Sequence, residues 1–354
     1  MVRLNHLPLR GFELALLLAG LSLSGSCDRS AKSNRPRVAY VTNGVDSFWV
    51  IAEAGAKAGG RQYDADVEVH MPAQGIADQK RIVEDLLTRG IQGIAISPID
   101  AENETALIND AARRTKVITQ DSDAPNSNRL CFIGVDNYVA GRMVGRLVKE
   151  AMPQGGKVTI HVGRLEQDNA RLRRQGVIDE LLERSNDRTR FDPVDAELKG
   201  PQYTVVATLT DGFDFNRAKG LAEEAMTKHP DLGCMVGLFA YNAPLCLDAL
   251  RQAGRLNAIK VVSFDEQAET LQAIKDGTCQ GTVVQNPYGY GTESVRVLTA
   301  LLRGDNSVIP PDKFIHIPAR QIRRDNVDAF WADLKQKTQG GGAAPKPAAT
   351  PGTP

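Results

Sequence analysis

From residue 37 onward, short apolar runs rich in β-branched residues alternate with stretches whose apolar positions recur at helical spacing. Residues 37–42 (RVAYVT) predict a strand, and 47–63 a helix ending at Gly59-Gly60, a pair suited to a C-terminal cap. A strand over 67–70 and a helix over 77–89 follow, the helix with Ile82, Val83, Leu86 and Leu87 on one face. Then come a strand over 93–97, a helix over 101–113 and strands over 116–119 and 131–135. The pattern then restarts. Helices are predicted over 138–151, 169–183, 216–228, 244–253 and 268–275, and strands over 157–162, 203–208, 233–239, 259–264 and 280–284. A helix over 288–303 and a strand over 313–317 finish it. Continuous apolar strands separated by helices indicate parallel sheets covered on both faces. The predicted fold class is therefore α/β, with two doubly wound parallel-sheet lobes. Residues 185–201 are polar and irregular and read as a surface excursion. The terminal stretch GGGAAPKPAATPGTP, within a tail running from residue 338, is too poor in large apolar groups to order itself.

The N-terminus adds location. Arg3 and Arg10 precede an apolar run, and Ser24, Gly25 and Ser26 lead into Cys27. Three regions in this order make a secretory signal over residues 1–27. Its apolar run is about a dozen residues, against roughly 20 for a spanning helix. The small residues ending in Cys resemble a bacterial lipoprotein signal, which implies a lipid on Cys27. Ser24 stands where an aliphatic residue is usual, and Leu23 sits one place early. Glu13 is also unusual; the alternatives are ordinary cleavage near Ser26 or a buried N-terminal helix, the latter disfavoured by the polar stretch that follows. A polar linker, 28–36, follows. The expectation is a protein of the periplasm or the outer face of a bacterial membrane, touching that membrane only through Cys27.

Composition narrows the classes. Removing the signal leaves roughly 327 residues, more than the roughly 250–300 at which one core stops growing, so two lobes are expected. The chain is 42% hydrophobic and 24% charged, with a formal net charge of zero. It offers no positive field to hold nucleic acid. Cys131, Cys234, Cys246 and Cys279 match no metal spacing. They allow three full disulfide pairings, a single Cys234–Cys279 bridge, or four buried thiols. The five His show no zinc pattern. No metal site and no cofactor are expected.

In open α/β sheets ligands sit beyond the carboxyl ends of the strands. Those ends carry a selected set of side chains: Asp46, Phe48 and Trp49; Asp121 and Ser122; Arg171; Phe215; Tyr241 and Asn242; Asp265; and Gln285. Such a mixture suits a polyol. Flat rings pack against the apolar C–H faces of a sugar. Ionised Asp accepts from hydroxyls, Arg donates in a fork, and Asn and Gln do both.

Across about residues 36–320 the chain resembles the periplasmic sugar-binding proteins of the ribose-binding type. The segments VAYVTNGVDSFW, ITQDSDAP, IGVDNYVAG, DNARLRRQG, AYNAPLCLDAL, VVSFDEQAE and GTVVQNP carry the resemblance. It implies two lobes joined by a three-stranded hinge, the type I periplasmic binding protein architecture. The crossings fall near Asp136, Gln285 and Ile315. The N-terminal lobe is then 37–136 plus 286–315, and the C-terminal lobe 137–285 plus 316–330. It implies ligand contacts from Phe48, Trp49, Asp121, Arg171, Phe215, Asn242, Asp265 and Gln285, with Asp46, Ser122 and Tyr241 as further candidates. Three positions depart from the family pattern: Ser122 where Arg is common, Asp46 where Asn is common, and Ala243 where Asp often follows the Asn.

The function implied is capture of a monosaccharide or related polyol by hinge closure. Delivery would be to an ABC permease or, alternatively, to a membrane kinase or chemoreceptor, with the protein a monomer. An enzyme is the competing class. The chain lacks G-x-S-x-G, H-E-x-x-H and the phosphate-cradling glycine motif. Asp121 with Asp123 is the one pair that invites glycoside hydrolysis. The sugar-responsive repressors share the fold but carry a DNA-binding helix-turn-helix where this chain has its export signal.

Overall fold

The computed structural model describes residues 35–338. The signal, Cys27 and the tail beyond Thr338 lie outside the described residues. In the first lobe the chain runs β1 (Arg37–Val41), α1 (Ser47–Gln62), β2 (Asp66–His70), α2 (Ile76–Thr88), β3 (Gly93–Ile96), α3 (Thr105–Arg114), β4 (Lys116–Gln120) and β5 (Phe132–Gly134). It continues through α4 (Asn137–Ala151), β6 (Gly156–Val162), α5 (Asp168–Leu181), β7 (Leu198–Lys199), β8 (Tyr203–Thr210), α6 (Phe215–Lys228) and β9 (Leu232–Gly237). Next come α7 (Asn242–Gln252), β10 (Lys260–Phe264), α8 (Ala268–Asp276), β11 (Gly281–Val284), α9 (Pro287–Leu302), β12 (Phe314–His316), β13 (Arg320–Ile322) and α10 (Val327–Thr338).

These strands form two sheets, ordered β12-β5-β4-β3-β1-β2 and β13-β11-β10-β9-β6-β8-β7. The first is parallel throughout, and the second is parallel except for its edge strands β13 and β7. Within each sheet, five strands repeat one order: second, first, third, fourth, fifth. Such a sheet has its switch point between its first and third strands, and its ligand crevice opens at their carboxyl ends. The chain changes sheet three times, between β5 and α4, between β11 and α9, and between β12 and β13.

Asp46, Asp136, Asp214 and Asn286 start α1, α4, α6 and α9, each accepting from a backbone N–H of the first turn. Gly59 and Gly60 do not cap α1. Both lie inside it, because the helix must approach its neighbours closely. A Cβ on Gly55 would stand 2.0 Å from the Tyr288 carbonyl oxygen of α9, and one on Gly291 of α9 would stand 2.2 Å from that of Ala52. The second lobe repeats the device. A Cβ on Gly141 of α4 would meet the Arg173 carbonyl at 2.1 Å, and one on Gly176 of α5 the Tyr138 carbonyl at 2.1 Å.

Other differences from the sequence expectation have local causes. Helix α3 starts at Thr105 rather than 101, because Asp100 accepts from the N–H groups of Glu102 and Asn103 and forms a turn there. The 185–201 excursion is pinned to the lobe. Arg174 donates to the carbonyls of Asp192 and Pro193, Asp192 pairs with Arg184, and β7 joins β8. Strand β13 and helix α10 were not anticipated, and Thr338, expected in the tail, is the last residue of α10. The four cysteines among the described residues, Cys131, Cys234, Cys246 and Cys279, are buried free thiols, the last of the three arrangements their spacing allowed. Among the described residues no helix is long and apolar enough to cross a membrane, and no cluster of His, Cys, Asp or Glu is arranged to hold a metal ion.

Candidate functional site

A cavity of about 590 Å³ opens at the carboxyl ends of both sheets, within the size range of small-molecule sites. The N-cap and first turn of α1 supply Asp46, Phe48 and Trp49 to its wall. The end of β4 supplies Asp121, and α5 supplies Asn169 and Arg173. The loops after β8 and β9 supply Phe213, Phe215, Phe239 and Tyr241. The end of β10 supplies Asp265, and the crossing after β11 supplies Gln285.

The floor is charged and buried. Asp121 and Asp265 each follow a strand directly, each with a left-handed φ, 60° and 64°. Each donates its N–H to the adjacent strand, to Ile133 at 3.0 Å and Val283 at 2.7 Å. That geometry turns both side chains toward one guanidinium. Arg173 Nη2 lies 3.9 Å from Asp121 Oδ1, and Nη1 lies 3.9 Å from Asp265 Oδ2. Arg173 is 1% exposed. Its Nε donates to Asn137 at 2.9 Å and its Nη1 to the Leu238 carbonyl at 3.1 Å. Its carbon end lies 3.9 Å from the Phe264 ring centroid and 5.7 Å from that of Phe239. Nη2 is buried and has no hydrogen-bond partner among the described residues. Leaving such a donor unmatched costs on the order of 1–3 kcal/mol.

Burial pushes the Asp121 carboxyl up to about 6 against the opposing pull of Arg173, and pushes Asp265 upward in the same way. Asp121 accepts from Ser97 Oγ at 3.1 Å and, across the lobes, from Asn169 Nδ2 at 3.1 Å. Gln285 Nε2 donates to Asp265 at 2.9 Å, and Gln285 Oε1 accepts from Tyr290 at 3.0 Å. Asp46 is also raised by burial. One of its oxygens caps α1 at Phe48 N and accepts from Ser47 Oγ.

The walls are aromatic. Phe48 and Trp49 meet edge to face at 4.9 Å. Opposite them Phe239 lies against Tyr241 at 6.2 Å, and Phe215 against Tyr241 at 4.8 Å.

Eight of the eleven ligand-contact candidates line this cavity: Asp46, Phe48, Trp49, Asp121, Phe215, Tyr241, Asp265 and Gln285. Three do not. Arg171 is the main correction. It is half exposed, pairs with Asp168 at 3.0 Å and stacks on Phe191 at 4.5 Å. Residues two apart on a helix point about 200° apart, so Arg173, in line with Ala170 and Val177 on the buried face of α5, reaches the cavity instead. Asn242 stands one layer behind the wall. Its oxygen accepts from Phe239 N at 3.0 Å and its amide donates to buried Asp211 at 3.0 Å. Asp211 also accepts from Tyr241 at 2.6 Å and so orients that ring. Ser122 is fully buried beside the floor. Asn169, Arg164, Phe213 and Phe239 were not foreseen. Phe213 and Phe239 belonged to strand-end segments already under suspicion, whereas Asn169 needed the helical phase of α5. Asp123 does not join Asp121, since Arg129 and Thr119 engage it.

A family model for the periplasmic binding protein domain matches residues 38–306. The chain belongs to the periplasmic binding protein family. Its bilobed α/β architecture is the type I form seen in related solved structures. This periplasmic binding protein is 26% identical over 299 residues to a ribose import binding protein of Salmonella typhimurium, covering 83% of this chain and 93% of that protein. It is also similar to an ABC transporter solute binding protein of Burkholderia graminis, solved in complex with D-arabinose. That match has 26% identity, a TM-score of 0.74 and coverage of 83% of this chain and 97% of the other. A solute binding protein of Agrobacterium vitis shares the fold at 22% identity and a TM-score of 0.76, over 85% and 99% of the two chains. The family's members are non-catalytic binding proteins.

Proposed function

We propose that this periplasmic binding protein captures a monosaccharide or related polyol outside the cytoplasm and delivers it to an ABC importer. The observation that carries the reading is the Arg173 guanidinium, with a buried donor unmatched by protein, held between Asp121 and Asp265 at the floor of an aromatic-walled cavity. Donor and acceptors side by side match a vicinal hydroxyl pair, which both donates and accepts. The rings take the apolar faces of the sugar. The names of relatives that cover most of their own length, among them ribose import and D-ribose/D-allose binding proteins, support the same chemistry.

Contacts come from both lobes, so a bound sugar favours the closed arrangement through its extra contacts there. The expected binding residues are Asp46, Phe48, Trp49, Asp121, Arg173, Phe215, Tyr241, Asp265 and Gln285, with Asn242 and Asp211 holding Tyr241 and its loop. Thermal unfolding with a panel of pentoses, hexoses and their polyols tests the reading. At least one compound should raise the melting temperature by mass action. A flat response across the panel would overturn it.

A further inference from the structure

Beside the inner cavity lies a second one of about 520 Å³, formed between Ile99 and Asp100 of one lobe and Arg164, Glu166, Val194 and Arg217 of the other. The two cavities share Ile76, Ile99, Arg164 and Gly212 in their walls. We propose that the cleft takes a two-ring carbohydrate, a disaccharide whose first ring sits on the Asp121–Arg173–Asp265 floor and whose second occupies this outer chamber. The inference rests on the sugar-binding reading of the inner cavity.

Three observations carry it. First, the inner end is closed by side chains that are almost fully buried, Asp121, Arg173, Asp265 and Gln285. A ligand seated there can extend only outward. Second, the aromatic wall of the inner chamber runs outward to an exposed rim. Tyr241 is buried, but Phe215, 4.8 Å away, and Phe213, 6.0 Å away, are 43% and 37% exposed. Val194 and Ile76, in the outer wall, are 41% and 37% exposed. Large apolar side chains gathered at a cleft mouth mark a binding surface.

Third, the outer chamber is furnished for hydroxyls. Arg164 leans on Phe213 at 5.5 Å, donates one bond of 3.3 Å to the Gly212 carbonyl, and has no carboxylate partner among the described residues. Nor has Arg217. Asp100 is committed to its own turn, accepting from Glu102 and Asn103, which leaves Glu166 as the available carboxylate. Two guanidiniums facing two carboxylates give no net positive charge, so the chamber suits a neutral second sugar better than a phosphate.

The test is calorimetric titration of the whole protein with matched pairs: glucose against maltose and cellobiose, galactose against lactose, xylose against xylobiose, and arabinose against arabinobiose. At least one disaccharide should bind roughly tenfold or more tightly than either of its monosaccharides. Val194→Asp and Arg217→Ala, which touch only the outer chamber, should each return that disaccharide to the monosaccharide level and leave monosaccharide affinity unchanged. Monosaccharide binding with no disaccharide advantage overturns this inference and leaves the sugar-binding reading intact. An advantage that survives both variants also overturns it. No saccharide binding at all overturns both.

Discussion

Asp121 and Asp265 hold the same position in the two lobes, and one guanidinium, that of Arg173, stands 3.9 Å from each. Each Asp follows the fourth strand of its repeat with a left-handed φ, and each donates its N–H to the fifth. Non-glycine residues enter this region rarely, and when they do the surroundings enforce it. Here the enforcing contact is the backbone bond to the neighbouring strand. Arg173 belongs to the second lobe, so its approach to Asp121 spans the cleft while its approach to Asp265 does not. The floor is thus one polar unit divided between the two lobes.

Arg173→Ala should abolish the sugar-dependent rise in melting temperature, whereas Arg171→Ala should retain it. Residue 173 faces the two carboxylates, and residue 171 faces solvent, Asp168 and Phe191. Arg173→Lys should restore only part of the rise, since an ammonium cannot bridge two carboxylates and a ligand as a planar fork does. Circular dichroism on each variant separates loss of binding from loss of fold. A rise that survives in Arg173→Ala would remove Arg173 from the site.

The acid dependence has a definite sign. Burial lifts Asp121 to about 6 and Asp265 upward, with Arg173, Asp46, Glu266 and Tyr290 as their charged or titratable neighbours. Unfolded carboxylates titrate near about 4. Between those values the folded protein holds protons that the unfolded chain has released, so stability falls as pH rises. The contribution is full below about pH 4 and gone once pH passes through about 6, amounting to about 3 kcal/mol for Asp121. Sugar hydroxyls that donate to the ionised carboxylates pull the other way, so affinity should increase from pH 5 to pH 7.5. Asp121→Asn should flatten the stability profile and raise the ligand-free melting temperature at pH 7.5 while weakening binding. A ligand-free profile that rises between pH 4 and 6 in the wild type, after allowing for the surface carboxylates, would contradict the assignment.

Two aromatics from opposite walls of the cavity, Trp49 and Phe215, should behave differently. Trp49 is buried against Phe48, and replacing it by Ala should cost about 3–5 kcal/mol of stability. Phe215 is 43% exposed at the rim. Its replacement by Ala should change stability by no more than about 0.5 kcal/mol and weaken sugar binding by roughly tenfold, about 1.4 kcal/mol. Urea unfolding and calorimetry on the two variants make the comparison. A destabilised Phe215→Ala with unchanged affinity would show that this ring serves the fold instead.

What could be read from the chain follows from how each residue is aimed. A side chain at a strand end is positioned by the sheet, and strand ends are visible as the close of an apolar run. Asp121, Asp265 and Gln285 were legible for that reason, and Asp46, Phe48 and Trp49 by their distance past β1. Arg173 was missed because a helix adds a phase, and DNARLRRQG holds three arginines within four residues. The spacing Ala170, Arg173, Val177 marks the inward face, the one that lines the cavity. Asn242 shows the opposite difficulty. Its position is right, but its side chain turns back to Asp211 and Phe239 N, a choice made by a residue 31 places away. Strand β13 and helix α10 were hidden because their burial is tertiary: β13 is an edge strand against β11, and α10 buries only Val327 and Phe330.

Glycine at position 55 holds the first lobe's helix pair at its present spacing, and with it two parts of the floor. Helix α1 begins at Asp46, Phe48 and Trp49, while α9 carries Tyr290, which donates to Gln285. A Cβ at Gly55 would stand 2.0 Å from a backbone oxygen of α9, and backbone cannot swing aside. Gly55→Val should therefore cost about 1–3 kcal/mol or more and weaken sugar binding as α1 and α9 separate. Gly220→Ala is the control. It lies on the exposed face of α6 with nothing near its Cβ position, at a negative φ. It should add about 0.5–1 kcal/mol, the ordinary gain of alanine over glycine in a helix. Denaturant unfolding of both variants, with sugar affinity measured on each, decides the matter: a Gly55→Val protein with wild-type stability and affinity would mean that the two helices are free to slide, and that the floor does not depend on their contact.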